Sequence, residues 1–272
     1  SGTPFKEAFP AALSEAMAKI GPQFERDGIA DKIFTSGADA PLAKTPLPSA
    51  PPARSDIDDL PESRANKRPN AHAIVIGIRD YRQELPEADF ADADARLVAR
   101  YLTRSLGFED ANVVVLTNET ATKSDFEKYF EGWLPNRVRK GDEVFLYYSG
   151  HGAPNPTTGD AYLVPYDGDP TYLEQTAYPL KKLYAGLGKL PTSSVTVVMD
   201  SCFSGVGGRS VLAKGARPLV TVKVEGASDM IRVLAASRAD QISHGYHDKG
   251  HGLFTYFLLK EIKARSGKGW DW

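Results

Sequence analysis

The sequence is poor in the features that mark disulfide-rich, membrane-spanning or nucleic-acid-binding proteins. A single cysteine among 272 residues excludes an intramolecular disulfide and leaves the compartment open, cytoplasmic or exported. No apolar run approaches the roughly 20 residues of a membrane-spanning helix, and no signal-peptide pattern is present. The formal charge of −2 offers no basic surface for nucleic acid, and the ordinary apolar content predicts one sizeable core.

The only cysteine follows a stretch that is typical of a buried strand. Residues 195–199 are consecutive apolar or β-branched side chains, and Cys202 comes shortly after them in a glycine-containing turn. An isolated cysteine beside an apolar strand is more often an inert buried side chain than a nucleophile. This stretch alone therefore favours no catalytic role.

A second apolar stretch ends in the same way. Residues 143–148 lead into His151, which stands between Gly150 and Gly152. If the two strands pair in parallel, His151 and Cys202 meet at one edge of the sheet, where α/β proteins bind and react with ligands. We interpret the remaining histidines as structural: His72, His244, His247 and His251.

Both motifs resemble those of a known peptidase family. Tyr148-Ser149-Gly150-His151-Gly152 and Asp200-Ser201-Cys202-Phe203-Ser204-Gly205 are similar to the His and Cys motifs of the caspase-like cysteine peptidases, the clan of caspases, metacaspases and bacterial orthocaspases. The two residues are 202 − 151 = 51 positions apart, close to the roughly 50 of caspases. The likeness covers about residues 70 to 264. Because Asp200 and Ser201 stand where caspases have Gln-Ala, the pattern resembles the metacaspase and orthocaspase branch.

Alternating strand and helix patterns predict an α/β domain. Apolar stretches predict strands at 73–78, 112–116, 143–148, 195–199 and 231–236, and a short hairpin arm at 160–164. Helical spacing predicts helices at 5–20, 94–102, 126–133, 179–187 and 252–263, with a capping box at 122–125. We therefore expect a caspase-like, mostly parallel sheet flanked by helices on both faces.

Composition divides the chain into four parts. They are an N-terminal helical appendage or pro-segment (1–34), a Pro/Ala-rich linker (35–70), a caspase-like peptidase domain (71–265) and a tail (266–272). The linker cannot bury enough apolar area to fold alone. It is either a tether, which we favour slightly, or a pro-segment that covers the site.

The resemblance implies a catalytic dyad. Cys202 would be the nucleophile, and His151 would polarise the substrate and protonate the leaving amine. The N–H groups of Gly152 and Cys202 would form the oxyanion hole. Neither motif contains the orienting carboxylate of a serine-protease triad.

Resemblance to metacaspases also implies an acidic S1 pocket, which receives the residue before the scissile bond. Asp200 and Ser149, each two positions before a dyad residue, match two pocket positions, and Asp94 matches another acidic one. Carboxylates attract arginine or lysine and repel aspartate, so we predict protein or peptide substrates cleaved after Arg or Lys. Asp94 could instead complement the N-terminus of its helix, and Asp92 is a competing assignment.

Many metacaspases need calcium, and this sequence offers few ligands for it. Asp160, Asp167 and Asp169 follow His151, and no aspartate follows Cys202 until Asp229. A hard cation needs several converging oxygen ligands. We therefore predict activity without any cofactor, with calcium as the alternative.

Because we predict cleavage after Arg or Lys, basic residues in segments with the composition of exposed loops are candidate sites of self-cleavage. The candidates are Arg209, Lys214 and Arg217 in the glycine-rich segment 205–220, and Lys44, Arg54, Arg64, Lys67 and Arg68 in the linker.

The rival to a peptidase is a catalytically silent regulatory or scaffolding module, since fold alone does not establish activity. A thiol acyltransferase is a third hypothesis, and no residue distinguishes it. The resemblance implies that 237–241, after the fifth strand, borders the substrate cleft; the alternative is an ordinary turn, and we leave the segment out of the candidate site.

Overall fold

The computed structural model describes residues 54–61, 66–155, 157–192, 194–201, 203, 230–235 and 245–266. Outside the described residues lie the predicted helix at 5–20, Cys202, the segments 205–220 and 237–241, and much of the linker. Within the described ranges, no helix combines the length and apolar content that crossing a membrane requires.

The predicted parallel sheet is present. The strands are β1 (Ala71–Gly77), β2 (Val113–Thr117), β3 (Glu143–Ser149), β4 (Gly152–Pro154), β5 (Ala161–Leu163), β6 (Tyr178–Pro179), β7 (Ser194–Asp200), β8 (Ile231–Ala235), β9 (Gly245–Tyr246) and β10 (His251–Gly252). In the described part of the chain, five of them form a sheet in the order β2-β1-β3-β7-β8, with each pair parallel. They are the strands that the apolar stretches predict, so the α/β fold class is confirmed.

Helices cover both faces of this sheet. They are α1 (Ala91–Arg104), α2 (Lys123–Glu127), α3 (Leu134–Arg137), α4 (Leu173–Thr176), α5 (Leu180–Leu187) and α6 (Leu253–Ser266). A π-helical stretch, Lys128–Trp133, joins α2 to α3, so the helix predicted at 126–133 is part of a longer one. The predicted capping box starts it, because Thr122 and Asp125 each accept the other's backbone N–H.

The strand β3 shows how the two-faced core follows from the sequence. Side chains alternate across a strand, so Phe145 and Tyr147 pack with α1 and α6 on one face. Leu146 and Tyr148 pack with α2 and α5 on the other. The consecutive apolar residues of β3 are thus all buried, as in a strand between two helix layers.

A small antiparallel sheet stands beyond the carboxyl end of β3. Its strand order is β4-β5-β6, and β4 begins directly after His151. The hairpin arm predicted at 160–164 corresponds to β5 and acquires two partners. Val164 N–H donates to His151 O at 3.1 Å, so this sheet holds the backbone of the candidate catalytic histidine.

Residues 54–61 lie against the domain, although their composition assigns them to the linker. We call this segment the strap. Ile57 is fully buried and belongs to the core between α1 and α6. The hydroxyl of Tyr101 on α1 donates to Ile57 O at 2.8 Å. Two apolar side chains, Ile57 and Leu60, are a weak sequence signal in a polar stretch, and their packing partners come from distant elements.

Gly77 allows α1 to lie close to the end of β1. A Cβ at this position would lie 2.1 Å from Ala91 O and 2.5 Å from Ala95 Cβ. Gly77→Ala therefore has to displace α1, and we expect it to lower the free energy of unfolding by about 1–3 kcal/mol. Urea denaturation measures this as a lower midpoint with an unchanged slope.

Gly132→Ala is the matched control, since no heavy atom lies within 4 Å of a Cβ there. We expect its stability to be unchanged or slightly raised, because alanine restricts the unfolded chain. Equal losses in the two variants would contradict the argument, since they would point to a general intolerance of alanine rather than to contact with α1.

Candidate active site

The two strands that lead to the candidate dyad are neighbours. β3 and β7 pair in parallel with Ser149 opposite Asp200, as the sequence predicts. His151 follows Ser149 by two residues, and Cys202 follows Asp200 by two. Cys202 lies outside the described residues, but Ser201 before it is fully buried. The register thus brings the carboxyl ends of β3 and β7 to the same edge of the sheet.

The backbone around His151 is fixed on both sides. Its N–H donates to Tyr81 Oη at 2.7 Å, and its carbonyl accepts from Tyr148 Oη at 2.6 Å. Gly150 precedes it, and a Cβ on Gly150 would lie 2.8 Å from Tyr81 Oη. The glycine before the histidine therefore makes room for the tyrosine hydroxyl that holds the turn.

A backbone carbonyl orients the imidazole of His151. Nε2 lies 2.6 Å from Pro86 O, and the ring of Tyr81 stacks on the imidazole at a centroid distance of 4.7 Å. A carbonyl oxygen only accepts, so Nε2 carries a hydrogen and the neutral ring has its lone pair on Nδ1. Neither motif contains a carboxylate for this role, and Pro86 O holds the ring in its orientation instead.

Gly152, predicted in the oxyanion hole, is the first residue of β4 and is buried. It pairs with Leu163 across the small sheet. Its predicted partner is the Cys202 N–H, which lies outside the described residues, so the oxyanion hole stays a prediction.

The three residues predicted for the S1 pocket are all fully buried: Asp94, Ser149 and Asp200. Asp94 lies in the first turn of α1, with Oδ1 2.6 Å from His251 Nδ1, and its Oδ2 accepts the Gly252 N–H at 2.7 Å. Its carboxylate therefore binds across to β10 rather than to the N–H groups of its own helix.

Asp200 is part of the same buried polar group. Its Oδ2 accepts the Thr255 hydroxyl at 2.9 Å, and Thr255 Oγ1 lies 2.6 Å from Tyr147 Oη. We call Asp94, Asp200, His251 and Thr255 the acidic cluster. Only tertiary contacts bring α1, β7, β10 and α6 together here, and the motifs contain no sign of His251 or Thr255 as partners.

The charge of one carboxylate in the cluster changes the pKa of the other. Burial raises the pKa of Asp94 to about 6, although His251 and the Gly252 N–H both favour its ionised form. The negative charge of Asp200 raises this pKa further. The competing candidate Asp92 instead pairs with exposed Arg96 at 2.5 Å, away from the cluster.

Two of the three acidic residues that follow His151, Asp167 and Asp169, have local structural roles. Asp167 Oδ1 accepts the Lys123 N–H at 2.8 Å, and Asp169 Oδ1 accepts the Thr171 N–H at 2.8 Å. Both carboxylates therefore cap the starts of helices. Across the described ranges, no three His, Cys, Asp or Glu side chains form a group that could hold a metal ion.

Comparisons with known proteins show which sequences and structures this chain resembles. The sequence profile of the caspase domain family matches residues 70–269. Metacaspase-1A of Aspergillus niger is 26% identical over 213 residues, 69% of this chain and 50% of the relative. Metacaspase-1 of Mycosarcoma maydis is 30% identical over 148 residues, 49% of this chain and 35% of the relative. The chain thus spans half or less of these relatives.

A solved structure shares the fold. The crystal structure of a Geobacter sulfurreducens protein superposes with a TM-score of 0.55 at 22% identity, covering 72% of this chain and 83% of the other. This likeness concerns the fold alone.

Proposed function

Since the chain belongs to the caspase domain family, on the side of the metacaspases, we propose that it is a cysteine endopeptidase that cleaves after arginine or lysine. In this proposal Cys202 and His151 form the catalytic dyad. The observation that carries it is the parallel pairing of β3 with β7, with Ser149 opposite Asp200, because each dyad residue follows one of these positions by two residues.

The orientation of His151 supports its role as proton shuttle. With Nε2–H directed at Pro86 O, the lone pair on Nδ1 can take the thiol proton of Cys202. The thiolate attacks the scissile carbonyl, while the Gly152 and Cys202 N–H groups stabilise the oxyanion. Collapse breaks the C–N bond, leaves a thioester, and passes the His151 proton to the departing amine. Water then hydrolyses the thioester.

The acidic cluster supports the preference for basic residues. Asp94 and Asp200 approach each other in a buried, weakly solvated environment, where a carboxylate interacts strongly with a cation. A guanidinium can donate to a carboxylate in bidentate fashion, and an aspartate would be repelled. Substrates are therefore proteins or peptides with Arg or Lys before the cleaved bond.

The silent-module hypothesis has one observation in its favour. His151, Asp94 and Asp200 are all fully buried, so a substrate cannot reach them without a rearrangement. A peptidase with this structure must open before it acts, whereas a scaffolding module need not. Limited proteolysis distinguishes the two functions, because it should activate a peptidase and leave a scaffolding module without activity.

A panel of matched fluorogenic peptides tests the proposal. Their only difference is Arg, Lys, Gln or Asp before the scissile bond, and the full chain is assayed before and after limited proteolysis. We expect turnover of the Arg and Lys peptides and none of the Asp peptide. Turnover of the Asp peptide, or of none of the four after proteolysis, would contradict the proposal.

Two arms of this assay address the cofactor and self-cleavage. We propose that calcium is not required, so the rates in chelator and in calcium should agree. A loss of activity in chelator that calcium alone restores would contradict this.

We also propose that the chain cleaves itself. Among the described candidates, Arg54 and Lys67 are exposed, whereas Arg68 pairs with Glu143 and covers the Phe108 ring, so Arg54 and Lys67 are preferred.

A further inference from the structure

The strap is anchored to the domain by both polar and apolar contacts. Besides the burial of Ile57, Asp56 Oδ1 accepts the Tyr256 hydroxyl at 2.9 Å. Lys263 Nζ donates to the backbone oxygens of Asp56 and Asp59 at 2.5 Å and 2.6 Å. These contacts fix the strap against α6, so the side chain of Asp58 has a defined position.

Asp58 extends the acidic cluster by one more carboxylate. Its Oδ1 lies 3.3 Å from Nε2 of His251, whose Nδ1 lies 2.6 Å from Asp94 Oδ1. The His251 side chain is 6% exposed. Ionised carboxylates only accept hydrogen bonds, so a ring with one on each nitrogen carries both protons. The geometry is that of an imidazolium clamped between two carboxylates.

We propose that His251 is a positioning residue for the basic side chain of the substrate. Clamped between Asp94 and the strap residue Asp58, it sets the net charge of the S1 pocket and makes the affinity for an arginine substrate depend on pH and on the strap. This inference rests on the proposed function, because it concerns the same pocket.

The sign of the effect follows from the charges. With His251 protonated, its positive charge offsets Asp94 and opposes an incoming guanidinium. Loss of the proton makes the cluster more negative and strengthens the binding of arginine. Burial lowers the pKa of His251, but Asp94 and Asp58 more than compensate, so its pKa lies above the ordinary value. Ionisation of Asp94, whose pKa is raised to about 6, acts in the same direction.

The groups that face His251 come from every element packed around it. α1 contributes Asp94, the strap contributes Asp58, and β9 contributes Tyr246, whose backbone pairs with that of His251. α6, which packs on β10, contributes Tyr256, whose hydroxyl donates to Asp56. The charge of Asp200 on β7 reaches it through Asp94. Lys249, in the preceding turn, pairs with Asp56 at 3.6 Å. The two carboxylates in direct contact therefore dominate.

The kinetic test measures KM and kcat separately between about pH 6 and about pH 8, a range that starts near the ordinary pKa of histidine and extends above it. An arginine peptide is compared with a glutamine peptide. In the wild type we expect KM for the arginine peptide to fall roughly three- to tenfold as pH rises, and KM for the glutamine peptide to stay constant. His251→Gln should reduce this pH dependence and leave the pH profile of kcat in place.

Asp58→Asn is the milder variant, since it keeps an acceptor for Nε2–H and removes only the charge. It should shift the KM profile of the arginine peptide to lower pH. The control is Asp59→Asn, because Asp59 lies in the same strap but pairs with Arg54 on the surface. His247→Gln, whose histidine is 71% exposed, controls for His251→Gln. Unchanged KM profiles in both Asp58→Asn and His251→Gln would overturn the inference.

A spectroscopic measurement separates this inference from the proposed function. The imidazole signals of ¹³C-labelled histidine are titrated by NMR in Cys202→Ala protein, with and without Asp58→Asn. We expect His251 to titrate above an ordinary histidine, and Asp58→Asn but not Asp59→Asn to lower its pKa. A neutral His251 at about pH 6, or no response to Asp58→Asn, would overturn the clamp. Absence of all peptidase activity would contradict the function and leave the NMR result to decide the clamp.

Discussion

Cys202→Ala is expected to reduce cleavage of an arginine peptide by about 10⁴-fold or more, because no other residue can form the thioester. His151→Ala should lower kcat by roughly 10²- to 10⁴-fold, with little change in KM, since the imidazole moves protons and does not bind the substrate side chain. Initial rates on activated protein measure both effects. The double variant should be no worse than Cys202→Ala alone, because the two residues act as a unit.

The control for this prediction is His72→Ala. His72 is also buried and pairs with a carboxylate, Asp142, at 3.1 Å, but it lies near the start of β1, at the opposite end of the sheet. We expect that variant to lose stability and to keep its kcat below the unfolding temperature. A His151→Ala protein that retained most of the wild-type kcat would contradict the assignment of the proton shuttle.

Asp200→Asn should have the second large effect, on specificity. Asparagine keeps an acceptor for the Thr255 hydroxyl, which lies 2.9 Å from Asp200 Oδ2, but removes the negative charge. A hydrogen bond to a charged group contributes about 1.5–3 kcal/mol, so we expect kcat/KM for an arginine peptide to fall about 10- to 150-fold. For a glutamine peptide the change should be small, and the ratio of the two values is the quantity to measure.

Asp92→Asn is the matched control, because Asp92 pairs with Arg96 on the outer side of α1. It should leave the ratio of arginine to glutamine cleavage unchanged. An equal loss for both peptides in Asp200→Asn would contradict a specificity role and favour a structural one. If Asp92→Asn changed the ratio and Asp200→Asn did not, the acidic pocket would have been assigned to the wrong carboxylates.

The predictability of the sheet has a simple physical origin. A strand buried on both faces has to be apolar throughout, and β1, β3 and β7 are such runs. Their parallel pairing follows from the helices between them, so the meeting of the carboxyl ends of β3 and β7 at one edge could be expected from the sequence. The capping box at Thr122 is likewise a local contact between residues close in the chain.

The boundaries of the helices are less predictable than their presence. The sequence predicts a helix at 126–133, and the structure continues it from α2 through a π-helical stretch into α3. The hydrogen bonding of this helix changes from α to π and back to α, and a sequence pattern that assumes one helical period does not follow that change.

The partners of the site residues could not be predicted, because they are groups without a sequence signature. Pro86 O orients His151, and every residue has a carbonyl. Tyr81 stacks on the same imidazole from a loop 70 residues away in sequence. Asp58, His251 and Asp94 form one chain of contacts only because the strap and β10 both lie against α1.

The sequence by itself determined the fold class, the positions of the strands along the chain and the candidate dyad, since these depend on local hydrophobicity and on which residues follow each strand. Tertiary structure alone decided the charge of the acidic cluster. That charge depends on distances between side chains brought together from the strap, α1, β7 and β10, and on the burial that makes each charge costly unless another offsets it.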